Sequence, residues 1–305
     1  MRQIGYKRQT GYNRGMIIEI PVPPDFSFSE TLSAHGWRRL APFTWDEAEQ
    51  TLERVEELQR GVVLLRLRDL EGRVLVDIQG RVEWNDTTED EVVGRVQRML
   101  QLDLPIDGFH TYCASHSELA HIAGCRRGRM LRGSTLYEDA VKVVATTNTT
   151  WAQTIAMSAR LVEHFGAPLP GDPARHAFPT PRHIAAVPFE EFAAKARMGY
   201  RNAYVHGLAT AITDGTLDLE AWQDKTLTAD VLRKRLLSLP GIGPYGAACL
   251  MLYLGRPEHV NADSVARASL GKELGRVVTD KDVHDFFADH GPWRGLVYNF
   301  YPWRQ

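Results

Sequence analysis

A glycine-rich turn and one acidic residue carry the clearest chemical signal in this chain. The turn reads Leu-Pro-Gly-Ile-Gly over residues 239–243, and Pro244 follows it. Glycine tolerates positive φ angles and leaves its backbone N–H group uncovered, while proline suits the first turn of a helix. Because a helix N-terminus attracts anions, we predict a phosphate-binding hairpin with contacts from Pro240, Gly241, Ile242 and Gly243.

The acidic residue is Asp263, in the segment Asn-Ala-Asp-Ser-Val at residues 261–265. A carboxylate can stabilise a developing positive charge, and it can orient or deprotonate a water molecule. Asp followed by Ser-Val-Ala is also a good helix N-cap. The two roles are compatible, because a capping bond orients the carboxylate and keeps it ionised. We predict that Asp263 is catalytic.

Two helices are needed to position these groups. Residues 231–238 place apolar side chains at helical spacing, and residues 245–254 form the second predicted helix. Pro240 and Gly241 end the first of them. An ordinary helical turn would give the same hairpin, and so would a DNA-binding module without catalysis.

With Asp263 included, residues 237–263 resemble the helix-hairpin-helix DNA glycosylases, a superfamily (HhH-GPD) named for this hairpin, a Gly/Pro-rich loop and an Asp. The resemblance reaches to residue 303 and includes bacterial alkylation-repair 3-methyladenine DNA glycosylases and 8-oxoguanine DNA glycosylase. It implies base excision repair, in which a damaged purine is flipped out of the duplex and its N-glycosidic bond is broken. Further similar segments lie at residues 136–148, 178–184, 198–205 and 291–295.

The resemblance also implies hydrolysis without strand cleavage. Members that cut the strand place a lysine in the second hairpin helix, where its amine forms a Schiff base. Tyr245 stands at that position here. A phenol cannot form a Schiff base, so we predict a monofunctional glycosylase that uses water and leaves an abasic site.

The resemblance assigns further residues to the base and to the gap that it leaves. Asn148 is expected to fill the gap, Tyr200 to wedge beside the unpaired partner base, and Arg201 to contact that base. Gln153 stands where 8-oxoguanine DNA glycosylase has its other arginine to that base. Purely structural roles are the alternative for several residues that the resemblance assigns. Arg201 could form a local ion pair, and Cys249 or Trp151 could occupy a core position. The implied base pocket consists of Tyr245, Cys249, Trp151, Trp293 and Tyr298.

The pocket residues leave the lesion open between two classes. Trp293 is similar to a residue of the alkylation-repair members, whose aromatic pockets suit cationic purines. Positions that read oxidised guanine in 8-oxoguanine DNA glycosylase are changed here, to Val265, Tyr298 and Pro302. We therefore favour an alkylated purine. The alternatives are an oxidised or deaminated purine opposite cytosine, and a damage-sensing protein that binds without cleaving.

The resemblance implies double-stranded DNA with a damaged base as the partner, and we expect a monomer. Composition agrees with a soluble intracellular enzyme, so we expect a cytoplasmic, nucleoid-associated location. The 305 residues carry a net charge of −2, so DNA binding depends on local patches such as Arg126–Arg132. The three cysteines are too few for a disulfide framework or a four-cysteine iron–sulfur cluster. No apolar run is long enough to span a membrane. No cofactor is expected to be required, but the resemblance implies a Na⁺ or K⁺ ion on the backbone carbonyls of Leu237, Leu239 and Ile242.

The order of elements predicts an α+β fold. Residues 1–15 are expected to form a flexible leader. Residues 16–104 are predicted to form an antiparallel β-sheet domain (TBP-like), with strands at 17–22 and 37–43 and a hairpin of 62–68 with 73–79. Strand signals vanish after that, so residues 105–305 are predicted to be an all-helical HhH-GPD glycosylase region.

Overall fold

The N-terminal part of the chain is an antiparallel sheet. The computed structural model describes residues 7–11, 14–80 and 82–304, and within them the sheet has six strands in the order β1-β2-β6-β5-β4-β3. This confirms an antiparallel N-terminal sheet, while its TBP-like character and the domain boundary at residue 104 stay predictions. The strands are β1 (Lys7–Gly11), β2 (Arg14–Pro21), β3 (Phe43–Asp46), β4 (Thr51–Leu58), β5 (Gly61–Leu70) and β6 (Arg73–Gln79).

One face of the sheet is covered by α1 (Phe28–Ser33) and α2 (Asp86–Met99). Alternate residues of the strands, such as Ile18 and Ile20, are fully buried against α2 side chains such as Val92 and Val96. The predicted hairpin of residues 62–68 with 73–79 is present as β5 and β6, which pair with Leu70 opposite Arg73. The alternating pattern therefore identified this hairpin correctly.

Helices make up most of the rest of the chain. They are α3 (Asp107–Ala114), α4 (Ala120–Gly124), α5 (Leu136–Thr146), α6 (Trp151–Phe165), α7 (Pro181–Ala185), α8 (Phe189–Ala196), α9 (Arg201–Thr213), α10 (Ala229–Leu237), α11 (Pro244–Tyr253), α12 (Ser264–Leu274), α13 (Asp280–Phe286) and α14 (Arg294–Phe300). They share one core, which Trp37 and Leu40 enter from the N-terminal part. None of the described helices is long and apolar enough to cross a membrane.

The structure corrects three predictions about strands. Residues 37–43 are not a strand: Gly36–Arg39 form a 3-10 helix, because the Trp37 indole turns into the helical core and packs on Tyr253 with ring centroids 4.7 Å apart. Within the predicted leader, Lys7–Gly11 pair with β2, whereas residues 1–6, 12 and 13 lie outside the described residues. Strand β4 was missed, since its charged Arg54 and Glu56 are buried rather than exposed.

The region predicted as all-helical also contains a short β-hairpin, formed by β7 (Pro168–Leu169) and β8 (Asp172–His176). Leu169 and Ala177 at this hairpin pack with Val55 and Leu64 of the sheet in a small cluster of their own. The strands are too short to show an alternating pattern, and contact with the sheet stabilises them. The description as all-helical was wrong here.

Buried charges join the sheet to helix α5. Arg54 Nη2 lies 3.0 Å from Glu138 Oε2, and Lys142 Nζ lies 2.6 Å from Glu138 Oε1. Burial by itself raises the pKa of Glu138, but Arg54 and Lys142 outweigh it and hold that pKa well below its usual value. The Lys142 ammonium also lies 4.7 Å from the centre of the Phe43 ring. These contacts fix α5, whose C-terminal end leads directly to Asn148.

Candidate DNA-binding and catalytic site

The predicted helix-hairpin-helix is present, with α10 and α11 on either side of residues 238–243. Gly241 has φ +84°, a left-handed conformation that favours glycine. A Cβ on Gly241 would also lie 2.5 Å from Cδ2 of Tyr204. Both the turn and this close approach therefore require glycine at residue 241.

The first turn of α11 lies open beside the hairpin. Gly243 is its N-cap and provides no side-chain capping bond within the described part of the chain, and Gly243 and Pro244 are both exposed. An uncapped first turn offers N–H groups and a partial positive charge to an anion. On the carbonyl side of the turn, the Ile242 N–H donates to the Leu239 carbonyl over 3.1 Å. The monovalent cation on carbonyls of Leu237, Leu239 and Ile242 stays a prediction.

Asp263 begins α12 as its N-cap. Its Oδ1 accepts a hydrogen bond of 2.8 Å from the Ala266 N–H, and its side chain is half-buried. The capping role suggested by the sequence is therefore observed. The same bond orients the carboxylate, and residues 262–265 line a cleft together with residues of the hairpin.

This cleft, the Asp263 cleft, has a volume of about 940 Å³. The N-termini of α11 and α12 lie on one side, and the loop between α5 and α6 lies on the other. It brings Asp263 together with the predicted residues Tyr245, Trp151, Asn148, Tyr200, Gly241, Ile242 and Gly243. Its remaining lining residues are Thr146, Thr147, Thr149, Thr154, Tyr204, Pro244, Gly246, Ala262, Ser264, Val265, Arg267 and Asp280.

Tyr245 forms part of the cleft wall and contacts the layer behind it. Cys249 and burial raise the pKa of the Tyr245 phenol, and a hydrogen bond with Cys249 contributes to this shift. Cys249 is buried and does not line the cleft, and Asn261 Nδ2 lies 3.2 Å from its Sγ. Tyr245, Cys249 and Asn261 therefore form a contiguous layer beneath the cleft.

Two predicted pocket residues lie elsewhere. The Trp293 ring packs on Phe109, with centroids 5.7 Å apart, and lines a separate cavity of about 350 Å³. Tyr298 is fully buried against Phe287 and lines none of the described cavities. Tyr245 and Trp293 therefore line different cavities. Trp151 does line the cleft, and its ring also covers Gly36.

Asn148 lies at the mouth of the cleft, where the gap-filling role would place it. It is exposed, and its φ of +45° turns the chain sharply between α5 and α6. Its Nδ2 lies 3.5 Å from the hydroxyl of Tyr200, which is 54% exposed and so free to meet a ligand. Asn148 and Tyr200 therefore form one exposed polar and aromatic edge.

Arg201 contacts this edge from the interior, with its guanidinium carbon 4.5 Å from the centre of the Tyr200 ring. It is buried, and its guanidinium donates to the carbonyls of Thr147, Asn148 and Met198. Arg201 braces the loop that presents Asn148, which conflicts with a direct contact to the partner base. Gln153 forms a capping box with Thr150 at the start of α6 and lies outside the lining of the cleft.

The sequence reasoning missed three contributors. Tyr204 covers Gly241, and it follows Tyr200 by one helical turn, a spacing that could have identified it. Arg267 pairs with Asp280 on the cleft wall. Asn261 carried no signal apart from its closeness to Asp263. Two arginines of the predicted basic patch, Arg129 and Arg132, are buried, so less of this patch is exposed than predicted.

Comparison with known proteins supports the relationship to DNA repair enzymes. No protein-family model matches the chain. It is 28% identical over 211 residues to a Mycobacterium tuberculosis protein named probable bifunctional transcriptional activator/DNA repair enzyme AlkA. That match covers 67% of this chain and 40% of the relative, so the chain spans less than half the length of this curated relative.

Several solved structures have the same fold across almost the whole chain. The structure of MBOgg1 in complex with a low affinity DNA ligand is 19% identical with a TM-score of 0.75, and covers 98% of both chains. The 8-oxoguanine glycosylase/lyase of Clostridium acetobutylicum is 15% identical with a TM-score of 0.73, again with 98% of both chains covered. The 3-methyladenine DNA-glycosylase of Archaeoglobus fulgidus is 15% identical with a TM-score of 0.72, covering 94% of this chain and 98% of that one.

The hairpin, the Asp at the start of α12 and these structural matches agree with one another. The chain has the fold of the helix-hairpin-helix DNA glycosylases, as residues 237–263 predict.

Proposed function

We propose that this protein is a DNA glycosylase that hydrolyses the N-glycosidic bond of a damaged purine and leaves an abasic site. The observation that carries the proposal is the position of Asp263. Its carboxylate is oriented by the cap of α12 in a cleft whose rim is the open N-terminus of α11. A DNA phosphate on that rim would hold the sugar of an extruded nucleotide near the carboxylate.

Asp263 has two roles in the proposed reaction. As the bond from C1′ of the deoxyribose to the base nitrogen breaks, the bonding electrons leave with the base and positive charge develops on the sugar. The carboxylate stabilises that charge and accepts a proton from the water whose oxygen bonds to C1′. A cationic alkylated purine leaves as a neutral base, whereas a neutral purine takes up a proton from solvent.

Hydrolysis rather than strand cleavage is supported by the wall of the cleft. A Schiff base needs an amine, and Tyr245 stands where lyases have their lysine. None of the described residues that line the cleft is a lysine. The nucleophile that we propose is therefore water. Some similar structures are of glycosylase/lyases, so this point needs a direct measurement.

We favour an alkylated purine in double-stranded DNA as the substrate, with the protein acting as a monomer on the cytoplasmic nucleoid. Support comes from the relative named DNA repair enzyme AlkA and from the structure of a 3-methyladenine DNA-glycosylase. Tyr245 and Trp151 supply aromatic surface for a cationic base. Trp293 no longer contributes to this preference, because it lines another cavity.

An oxidised or deaminated purine is the second candidate. It is supported by the structural similarity to an 8-oxoguanine glycosylase/lyase, and by Cys249 behind Tyr245. A strict requirement for cytosine in the partner strand is disfavoured, since the guanidinium of Arg201 is engaged by backbone carbonyls. Asn148 remains well placed to enter the gap for either class of lesion.

The test is base release from labelled duplexes that carry 3-methyladenine, 7-methylguanine, hypoxanthine, uracil or 8-oxoguanine, with and without alkali. The wild-type protein should release a purine and require alkali for strand cleavage. Asp263→Asn should lower kcat/KM by about 10³-fold, because the carboxylate acts on charge that develops in the transition state. Asn is an equally good N-cap, so α12 and DNA affinity should be retained.

Three outcomes would contradict parts of this proposal. Binding of every lesion without release would make the protein a damage-sensing binder. Strand cleavage without alkali would establish lyase chemistry. Full activity of Asp263→Asn would remove Asp263 from the reaction.

A further inference from the structure

Asn261 is a buried amide whose hydrogen-bonding capacity is largely unused. Its side chain belongs to a residue that is only 7% exposed, and its Nδ2 donates to Cys249 Sγ over 3.2 Å. Its Oδ1 has no hydrogen-bond partner within the described part of the chain. Sulfur is a weak acceptor, and a buried carbonyl oxygen without a donor is costly. Such an atom next to a functional site is a candidate for ligand contact.

One layer of side chains separates Asn261 from the Asp263 cleft. Tyr245 lines the cleft and contacts Cys249, which in turn contacts Asn261. Ala262 and Asp263, the next two residues, both line the cleft. Behind Tyr245 lies a second cavity of about 240 Å³, which shares Tyr245 and Ala262 with the cleft. Tyr245 therefore has open space on two sides, in the cleft and in this cavity.

We propose that Asn261 is a specificity-determining residue of the base pocket. Once Tyr245 turns aside, Asn261 Oδ1 accepts a hydrogen bond from an N–H group on the Watson–Crick edge of the extruded purine. The inference rests on the proposed glycosylase function and narrows its substrate class.

The chemical consequence is a requirement for a donor on that edge. Hypoxanthine and 7-methylguanine carry N1–H, and 3-methyladenine carries an exocyclic N–H group. In 1,N6-ethenoadenine the bridge removes both possible donors and leaves a lone pair facing Oδ1. Two facing acceptors repel, so the pocket should exclude this lesion.

The test compares two duplexes of identical sequence that carry either hypoxanthine or 1,N6-ethenoadenine. The measured quantity is the ratio of kcat/KM for the two lesions, which does not depend on the fraction of folded enzyme. Asn261→Leu removes the acceptor at similar volume and should reduce the wild-type preference for hypoxanthine about 10- to 100-fold. Asn261→Asp keeps an acceptor and should retain the preference. Asn85→Ala, which removes the cap of α2 in the sheet region, is the control for general destabilisation.

The outcomes separate this inference from the function on which it rests. If the wild-type protein releases no lesion in the wider panel, the glycosylase function fails and the inference fails with it. If release occurs but Asn261→Leu leaves the ratio unchanged, only the role of Asn261 is overturned.

A measurement on the wild-type protein covers the case in which Asn261→Leu does not fold. A duplex with 1-methylhypoxanthine carries a methyl group in place of the N1–H group of hypoxanthine. Its kcat/KM should be at least about 10-fold lower than that of hypoxanthine, the loss expected for one hydrogen bond to a buried group. Equal values would overturn the proposal.

Discussion

The charges between the sheet and α5 differ from those of the cleft in how they are neutralised. The cations of Arg54 and Lys142 and the carboxylates of Glu56 and Glu138 have side chains at most 3% exposed, and they balance in pairs within 3.0 Å. Asp263 is half-buried, and the bond that orients it comes from the backbone at the start of α12. Charges that compensate each other in a dry interface fix geometry. A carboxylate held by the backbone beside a solvent-filled cleft can act on the charge of a ligand.

The two regions are connected through α5. Glu138 and Lys142 lie in this helix, and Asn148 follows its C-terminal end. Arg201 then fixes the loop itself through backbone carbonyls. The position of Asn148 therefore depends on contacts made outside the cleft. We expect changes at the interface between the sheet and α5 to lower stability, and changes in the cleft to alter DNA binding and catalysis.

The largest effect on stability is expected from Glu138→Gln. The change removes the carboxylate that pairs with the buried Lys142 and one of the two that pair with Arg54, so the free energy of unfolding should fall by about 3–5 kcal/mol. Denaturant titration measures this. Glu191→Gln, in an exposed pair with Lys195, is the matched control and should cost less than about 1 kcal/mol. Similar small losses for both variants would mean that the interface charges do not fix α5.

A smaller loss of stability is expected near the same interface when the pH is lowered. Burial lowers the pKa of His35 to about 4, and the charge of Lys142 nearby adds to this. Between pH 6.5 and about 4 the unfolded chain therefore binds more protons than the folded one. The free energy of unfolding should fall in that window as pH is lowered, by up to about 3 kcal/mol from this residue.

Thermal or denaturant unfolding at several pH values would measure the acid effect. His35→Gln should flatten the profile between pH 6.5 and 4, whereas His164→Gln, an exposed histidine of α6, should leave it unchanged. An unchanged profile in His35→Gln would assign the acid sensitivity to other groups.

The smallest effect on stability, but a clear one on DNA binding, is expected from Gly241→Ala. The new Cβ would lie 2.5 Å from Cδ2 of Tyr204, and the backbone of alanine is strained at φ +84°. We expect a stability loss of about 1–2 kcal/mol and a DNA affinity about 10-fold lower, because the hairpin shifts. Gly215→Ala has a similar φ of +81° with no atom within 4 Å, so it reproduces the strain alone. Equal DNA affinity of the two variants would show that the hairpin does not grip DNA.

Local pattern was sufficient for the elements that carry their own signal. The hairpin at Gly241, the helix that starts after Asp263 and the β5–β6 pair were predicted and are present. Each depends on neighbours in sequence: glycine for positive φ, an acid for a cap, and alternation for a strand. Strand β4 could not be predicted in this way. Its charged Arg54 and Glu56 are buried, because Arg54 pairs with Glu56 and with Glu138, which lies far along the chain.

The positions of side chains around the cleft depend on contacts between residues that are distant in sequence. Local sequence patterns do not show these contacts. Trp293 stands in a segment similar to the alkylation-repair glycosylases, yet packing on Phe109 turns its ring into another cavity. Arg201 is adjacent to Tyr200 in sequence, but the carbonyls of the loop at Thr147 and Asn148 hold it in the interior. The sequence by itself determined the hairpin, the cap that orients Asp263 and the absence of a lysine at residue 245. Only the tertiary structure decided which aromatic and polar side chains share the cleft, because long-range packing and the satisfaction of buried charges set those directions.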